Sequence, residues 1–226
     1  MMREVLAFFA LFWTCNAVAQ EDTGLEAAKR AASTCAAKRE GANPLLPDVR
    51  IPDGGTVLCI EGGIDWRMAS AVDREISAAG TPVHHVVITS DGGEVVSALR
   101  IAERIAASGA AVVVRDRCAS SCAQFLFMAA ARKYILKGGL LAFHGGPLSE
   151  ERLQALDVPE AARSTLRAEQ VAFRRFYEER GLDMAMLTRP PADVQAEINR
   201  GHIVMWTWSP AELAGFGVTG VVAEDE

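Results

Sequence analysis

From Thr56 onward, short apolar runs alternate with longer segments in which apolar residues recur every three or four positions. The short runs are typical of buried strands, and the longer periodic segments are typical of amphipathic helices. The runs predict strands over residues 56–60, 86–89, 111–114, 134–136 and 140–143. The periodic segments predict helices over residues 65–79, 94–108 and 121–131. Because strands and helices alternate in this order, we expect an α/β fold with largely parallel strand pairing.

The second half of the chain is predominantly helical by the same criterion. The predicted elements are helices over residues 150–156, 159–180, 192–199 and 209–215, and a last strand over 218–222. Because the chain shows no internal repeat, residues 56–226 are interpreted as one domain with a helical excursion in its second half. Residues 20–55 are interpreted as a short helix near 24–38 followed by a loop rich in Pro and Gly.

Residues 1–19 have the pattern of a secretory signal peptide. Arg3 precedes an apolar run over residues 5–13, and Ala17-Val18-Ala19 offers the small side chains that signal peptidase accepts. A run of this length is too short to span a hydrocarbon core of about 30 Å. The sequence therefore predicts cleavage after Ala19, a secreted or periplasmic protein, and no membrane span once the signal is removed.

The charge balance argues against one class of partner. The 226 residues contain 23 Lys and Arg against 29 Asp and Glu, a formal net charge of −6. Since binding to phosphate backbones depends on clustered positive charge, we expect no nucleic-acid partner. No Cys and His spacing typical of a zinc site occurs, and the sequence predicts neither a metal nor another cofactor.

Removal of the signal peptide leaves an even number of cysteines. They are Cys35, Cys59, Cys118 and Cys122. An even number in an oxidising compartment indicates two disulfides, and their positions favour the pairs Cys35–Cys59 and Cys118–Cys122. The alternative is that one pair or both remain as buried thiols, because the sequence does not give the Cβ geometry that a bridge requires.

Three short stretches that follow predicted strands carry the candidate chemistry. Residues 90–94 read Ser-Asp-Gly-Gly-Glu, and two glycines before a helix can leave backbone N–H groups open to an oxyanion. Residues 117–123 read Arg-Cys-Ala-Ser-Ser-Cys-Ala and place two serines where a helix begins. Residues 140–147 end an apolar run with His144 before a Gly-Gly-Pro turn. Each stretch alone also has an ordinary structural interpretation, as a tight turn, a helix cap or a hydrogen-bonded histidine.

Together, the order Gly-Gly, Ser and His resembles the Clp protease proteolytic subunit and the wider crotonase-like superfamily. The resemblance covers residues 56–147 closely and 205–222 more loosely. It implies a spiral of ββα units, a Ser nucleophile, a His general base and an oxyanion hole that includes Gly92 and Gly93. The form Cys-Ala-Ser-Ser-Cys is similar to an exported, poorly characterised branch of this superfamily.

The resemblance implies specific roles for three further side chains. Ser120 fits the family's Ala-Ser register and is favoured as nucleophile, while Ser121 is the alternative and otherwise supports the turn. His144 accepts the proton of the serine, because a hydroxyl is too weakly acidic to attack unaided. The expected substrate is a peptide or another acyl compound, held in extended form beside the strand that ends at Ser90. Homo-oligomers are common in the superfamily and are expected here as well.

The chain departs from the family where a third, acidic catalytic residue is expected. Residues 199–206 contain no carboxylate, and Asp193 and Glu197 are the nearest substitutes, while Asn199 could orient His144 without a charge. A Ser–Lys dyad is disfavoured because no Lys follows Lys137. The alternative function is therefore a catalytically inactive protein of the same fold that binds a partner or assembles in the cell envelope.

Overall fold

The computed structural model describes residues 23–36, 46–202 and 204–224. Within these residues, seven strands form one sheet: β1 Asp48–Arg50, β2 Val57–Glu61, β3 His85–Ser90, β4 Ala111–Ala119, β5 Lys133–Ile135, β6 Leu140–Ala142 and β7 Val221–Ala223. Their order is β1-β2-β3-β4-β5-β7, and β6 pairs with β4. Only β1 and β2 pair antiparallel among these strands, and the other ladders are parallel. The predicted α/β fold with largely parallel pairing is confirmed.

The helices follow the predicted apolar periodicity. They are α1 over 23–36, α2 Trp66–Ala78, α3 Val95–Ser108, a helix over 121–129 that contains the π-helix Cys122–Phe127, α4 Glu150–Gln154, α5 Glu160–Glu178, α6 Ala185–Thr188, α7 Ala192–Asn199 and α8 Pro210–Gly215. Ser209 caps α8 and forms a capping box with Glu212, as its position before Pro210 suggests. None of the helices in the described residues is both long enough and apolar enough to cross a membrane. The proposed signal peptide, residues 1–19, lies outside the described residues.

Both faces of the sheet are covered, which explains why its strands are nearly continuous apolar runs. Val86 and Ile88 of β3 point into the main core with α2, α3 and the π-helix. Val87, between them, points to the opposite face and packs in a smaller cluster with α1. The predicted disulfide between Cys35 and Cys59 is present and ties α1 to β2.

Strand β4 is longer than its apolar run predicts. The run ends at Val114, but the strand continues to Ala119 through three charged residues. Arg115 forms an ion pair of 2.8 Å with Glu61, and Asp116 accepts a hydrogen bond of 3.0 Å from Thr89. Because these charged side chains have partners on β2 and β3, β4 can continue through them. The last three residues of β4 then pair with β6.

Candidate active site

Ser120 lies directly after the last residue of β4, in a strained turn. Its φ angle is +55°, a left-handed conformation that non-glycine residues seldom adopt and that is concentrated at functional sites. Two backbone hydrogen bonds hold the turn: the Ser120 N–H donates to the Ala142 carbonyl at 3.0 Å, and the Gln124 N–H donates to the Ser120 carbonyl at 2.9 Å. The turn therefore projects the Ser120 side chain away from the helix that starts at Ser121.

His144 lies beside this turn because β4 and β6 are neighbouring parallel strands. The register pairs Ala119 with Ala142, so the residues that follow both strand ends meet at one edge of the sheet. Ser120 Oγ and His144 Nε2 are 2.6 Å apart. This distance is within the hydrogen-bond reach that a nucleophile and its general base require.

The predicted disulfide between Cys118 and Cys122 is present and encloses the Ser120 turn. Cys118 is the penultimate residue of β4, Cys122 is the first residue of the π-helix, and both side chains are fully buried. The bridge therefore fixes the strand end to the helix start on either side of Ser120.

Gly92 and Gly93 form a loop against this turn and have positive φ angles of 91° and 154°. A Cβ on Gly92 would lie 2.7 Å from both the Ala119 carbonyl oxygen and Ser120 Cβ. A Cβ on Gly93 would lie only 2.0 Å from the Ile64 carbonyl oxygen. Both positions therefore require glycine because backbone approaches too closely for any side chain.

The hydrogen bonds of this loop leave its second amide open. The Ile64 N–H donates to the Gly92 carbonyl at 2.8 Å, and the Glu94 N–H donates to the Ile64 carbonyl at 2.9 Å. The N–H groups of Gly93 and Ser121 have no acceptor among the described residues. An open amide directly after Ser120 and another in the glycine loop packed against it are the donors that an oxyanion hole requires.

Ser121 occupies a different environment from Ser120. Its side chain is buried, and its hydroxyl donates to the Gly93 carbonyl at 2.7 Å. This contact ties the glycine loop to the helix start. Of the two serines, only Ser120 has a side-chain contact with His144 among the described residues.

The expected substitutes for an acidic third residue do not contact His144. Glu197 pairs with His202 Nδ1 at 2.6 Å and with Arg200, and the Asn199 side chain accepts from Gln195 at 2.9 Å. No contact between Asp193 and His144 is present in the described part of the chain.

A backbone carbonyl is in contact with His144 instead. His144 Nδ1 is 3.1 Å from the Gly145 carbonyl oxygen. The amide of Gln124, on the π-helix, donates to the His144 carbonyl at 3.0 Å and to the Gly145 carbonyl at 3.4 Å. Neither Gly145 nor Gln124 was identified from the sequence. A single buried polar residue in an otherwise apolar helix was the available signal for Gln124.

The expected position of an extended substrate needs correction. Strand β3, which ends at Ser90, lies between β2 and β4 and is paired on both edges. A peptide therefore cannot add beside β3 itself. Beyond Ser90, Gly93 bridges to Ile64 on one side, and on the other side its carbonyl accepts from Ser121 while its N–H has no acceptor among the described residues.

Comparison with known proteins gives a family match and similar solved structures. A family model described as Clp protease matches residues 56–201. A solved variant of the 1510-N membrane-bound stomatin-specific protease superposes with a TM-score of 0.44 at 17% sequence identity, covering 74% of this chain and 78% of that chain. No curated protein matches the sequence.

Proposed function

The chain belongs to the Clp protease family, and from this premise we propose that it is an exported serine peptidase with Ser120 as nucleophile and His144 as general base. Family membership supports a peptidase-like function. The observation that carries the assignment of residues is the contact of 2.6 Å between Ser120 Oγ and His144 Nε2.

The proposed reaction is acyl transfer to serine followed by hydrolysis. Ser120 Oγ attacks the acyl carbon while His144 Nε2 takes the hydroxyl proton, and the carbonyl π-electrons move to oxygen. His144 then gives this proton to the leaving amine as the C–N bond breaks. A water molecule, deprotonated by the same imidazole, attacks the acyl-enzyme and releases the acid product and free Ser120.

The open amides of Gly93 and Ser121 are proposed to bind the oxyanion. Both N–H groups are fixed by other contacts of their residues, so they need no rearrangement when charge develops. Preorganised donors of this kind each contribute about 100- to 1000-fold in rate.

The Gly145 carbonyl is proposed to take the place of the acidic residue. By accepting from His144 Nδ1–H, it selects the tautomer in which Nε2 is free to receive the Ser120 proton. A carbonyl adds no full negative charge, so it stabilises the imidazolium that forms during attack less than the acid of a complete triad would. Gln124 holds this carbonyl and is therefore a positioning residue.

Replacing Gln124 with Met is expected to lower kcat about 10-fold or more with little change in KM. Met has a similar volume but cannot donate to the His144 and Gly145 carbonyls, so the imidazole loses its fixed orientation. Nitrogen-15 NMR of the His144 ring should show a single tautomer in the native protein and a mixture in Gln124→Met. A matched control is Gln154→Met on the exposed helix α4, which should change neither readout. An unchanged tautomer and kcat in Gln124→Met would remove Gln124 from the mechanism.

Export is proposed on the basis of the leader pattern of residues 1–19, and two disulfides support an oxidising destination. Peptides are the proposed substrates, and assembly into homo-oligomers is proposed by analogy with the family.

Labelling with a fluorophosphonate probe tests the proposed function. The purified, oxidised protein should be labelled, and Ser120→Ala and His144→Ala should not be. Ser121→Ala is the matched control and should retain labelling at a reduced rate, since it keeps the nucleophile and its base. Absence of labelling in the folded native protein would leave the inactive binding protein as the better interpretation.

A further inference from the structure

Lys133 is a buried cation that the proposed reaction does not use. It is the first residue of β5, its side chain is only 4% exposed, and its Nζ donates to the Thr219 carbonyl at 3.0 Å. No carboxylate lies within ion-pair distance of Nζ among the described residues. Burial lowers the pKa of the ammonium to about 8, with no acidic neighbour to oppose this effect. An ammonium carries three donors, and one carbonyl satisfies one of them.

Lys133 lines a pocket of about 220 Å³. The other walls are the end of the helix that follows Ser120, the segment after α5 and the loop before β7: Met128, Ala129, Ala130, Ala131, Arg180, Leu182, Gly217, Val218 and Thr219. Lys133 and Arg180 are the charged residues of this wall, and no acidic residue is among them. We define this set as the Lys133 pocket.

Arg180 also lines the Lys133 pocket and forms no ion pair within 4.0 Å among the described residues, while the more distant charges of Glu179 and Glu103 oppose the fall that burial causes in its pKa. Its guanidinium donates to the Phe176 carbonyl at 3.2 Å and lies 3.8 Å above the Phe176 ring. A neighbouring pocket, which shares Arg180, also contains Glu103 and Glu179 and so balances its positive charge. Neither carboxylate lines the Lys133 pocket itself.

The location separates this pocket from the proposed catalytic centre. Lys133 pairs with Val112 near the start of β4, whereas Ser120 follows the end of that strand. Because β4 has nine residues, these two positions lie near opposite ends of the strand. A ligand bound beside Lys133 would therefore leave Ser120 and His144 unoccupied.

We propose that the Lys133 pocket binds a small oxyanion, a carboxylate or a phosphate, through the ammonium of Lys133 and the guanidinium of Arg180. An oxyanion supplies the acceptors that the ammonium lacks and neutralises two positive charges that share one pocket. The apolar walls from Met128, Leu182 and Val218 leave room for a short carbon chain on a carboxylate. This site is independent of the proposed peptidase function.

Thermal unfolding with sodium phosphate or sodium acetate, at ionic strength held constant with sodium chloride, tests the proposal. Either anion should raise the melting temperature saturably, by about 3–6 °C at ten times its Kd. A response to phosphate alone identifies a phosphate site, a response to acetate alone a carboxylate site, and a response to both a general oxyanion site. Absence of a saturable response to both anions overturns the proposal.

Single substitutions test whether the rise in melting temperature comes from anions bound in the Lys133 pocket. Lys133→Met should abolish it, and the exposed Lys137→Met, a matched control two residues past β5, should keep it. Arg180→Gln should weaken binding at least 10-fold, and it serves as the second variant if Lys133→Met does not fold. Ser120→Ala should respond like the native protein, since the pocket is remote from the serine. Equal responses in the native protein, Lys133→Met and Arg180→Gln would show that the anions act elsewhere, and the proposal would fall.

Discussion

Replacing Ser120 or His144 with Ala is expected to reduce hydrolysis of an activated ester, p-nitrophenyl acetate, by about 10⁴- to 10⁶-fold. In the proposed mechanism the two side chains act as one unit, since the hydroxyl attacks only as Nε2 removes its proton across their 2.6 Å contact. The double variant should therefore lose no more activity than either single variant. Initial rates of nitrophenol release, measured for the native protein and the three variants, give the comparison.

Ser121→Ala provides the control for this experiment. It removes the hydroxyl that holds the Gly93 carbonyl but leaves Ser120 and His144 in place, and we expect a loss of about 10- to 100-fold. If Ser121→Ala were as inactive as Ser120→Ala, or if the losses in the double variant multiplied, Ser120 and His144 could not be the acting pair.

Replacing Gly93 with Ala is expected to lower both stability and acylation rate. The new Cβ would lie 2.0 Å from the Ile64 carbonyl oxygen, and the residue would have to hold a φ of 154°. Because the obstacle is backbone, the loop must move and carry the Gly93 amide away from the oxyanion. We expect a loss of about 1–3 kcal/mol in the free energy of unfolding and about 100- to 1000-fold in the labelling rate.

Gly63→Ala is the matched control, because it lies in the loop that faces Gly92 and Gly93. The nearest atom to its Cβ would be the Gly92 carbonyl oxygen at 4.0 Å, and its φ is not positive. Its melting temperature and labelling rate should stay near the native values. A Gly93→Ala variant that matched Gly63→Ala in both measurements would exclude the Gly93 amide from the oxyanion hole.

Local patterns predicted the helices and the parallel strands well, because each of these buries an apolar face with a fixed period. Helix α7 has the predicted bounds, and α3 begins one residue later than expected. Strand β1 was not predicted, because its three residues lie in a Pro-rich stretch and form a strand only through antiparallel pairing with β2. The continuation of β4 was missed because partners distant in sequence, such as Glu61 for Arg115, compensate its charges.

Some features of the candidate site could likewise be predicted from the sequence, and others could not. The positions of Ser120, His144, Gly92 and Gly93 followed from strand ends and family motifs, both of which are visible in the sequence. The choice between the two serines depends on the φ angle of Ser120 and on the direction of each hydroxyl, which the sequence does not specify. The Gly145 carbonyl has no sequence signal, since every residue carries a carbonyl, and its contact with His144 Nδ1 depends on a local backbone conformation that the distant Gln124 side chain helps to hold.

Because β5 and β6 pair with different parts of β4, we expect the contact between Ser120 and His144 to be lost at a lower temperature than the rest of the fold. Strand β5 pairs with residues 112–114 of β4, while β6 pairs only with residues 117–119. On its other side, the β6 segment is held by a bridge between Phe143 and Trp206. So short a ladder opens at a lower free energy than the whole domain unfolds. Opening β6 would part His144 from Ser120 while β2, β3 and β5 remain folded, so heat inactivation would precede denaturation.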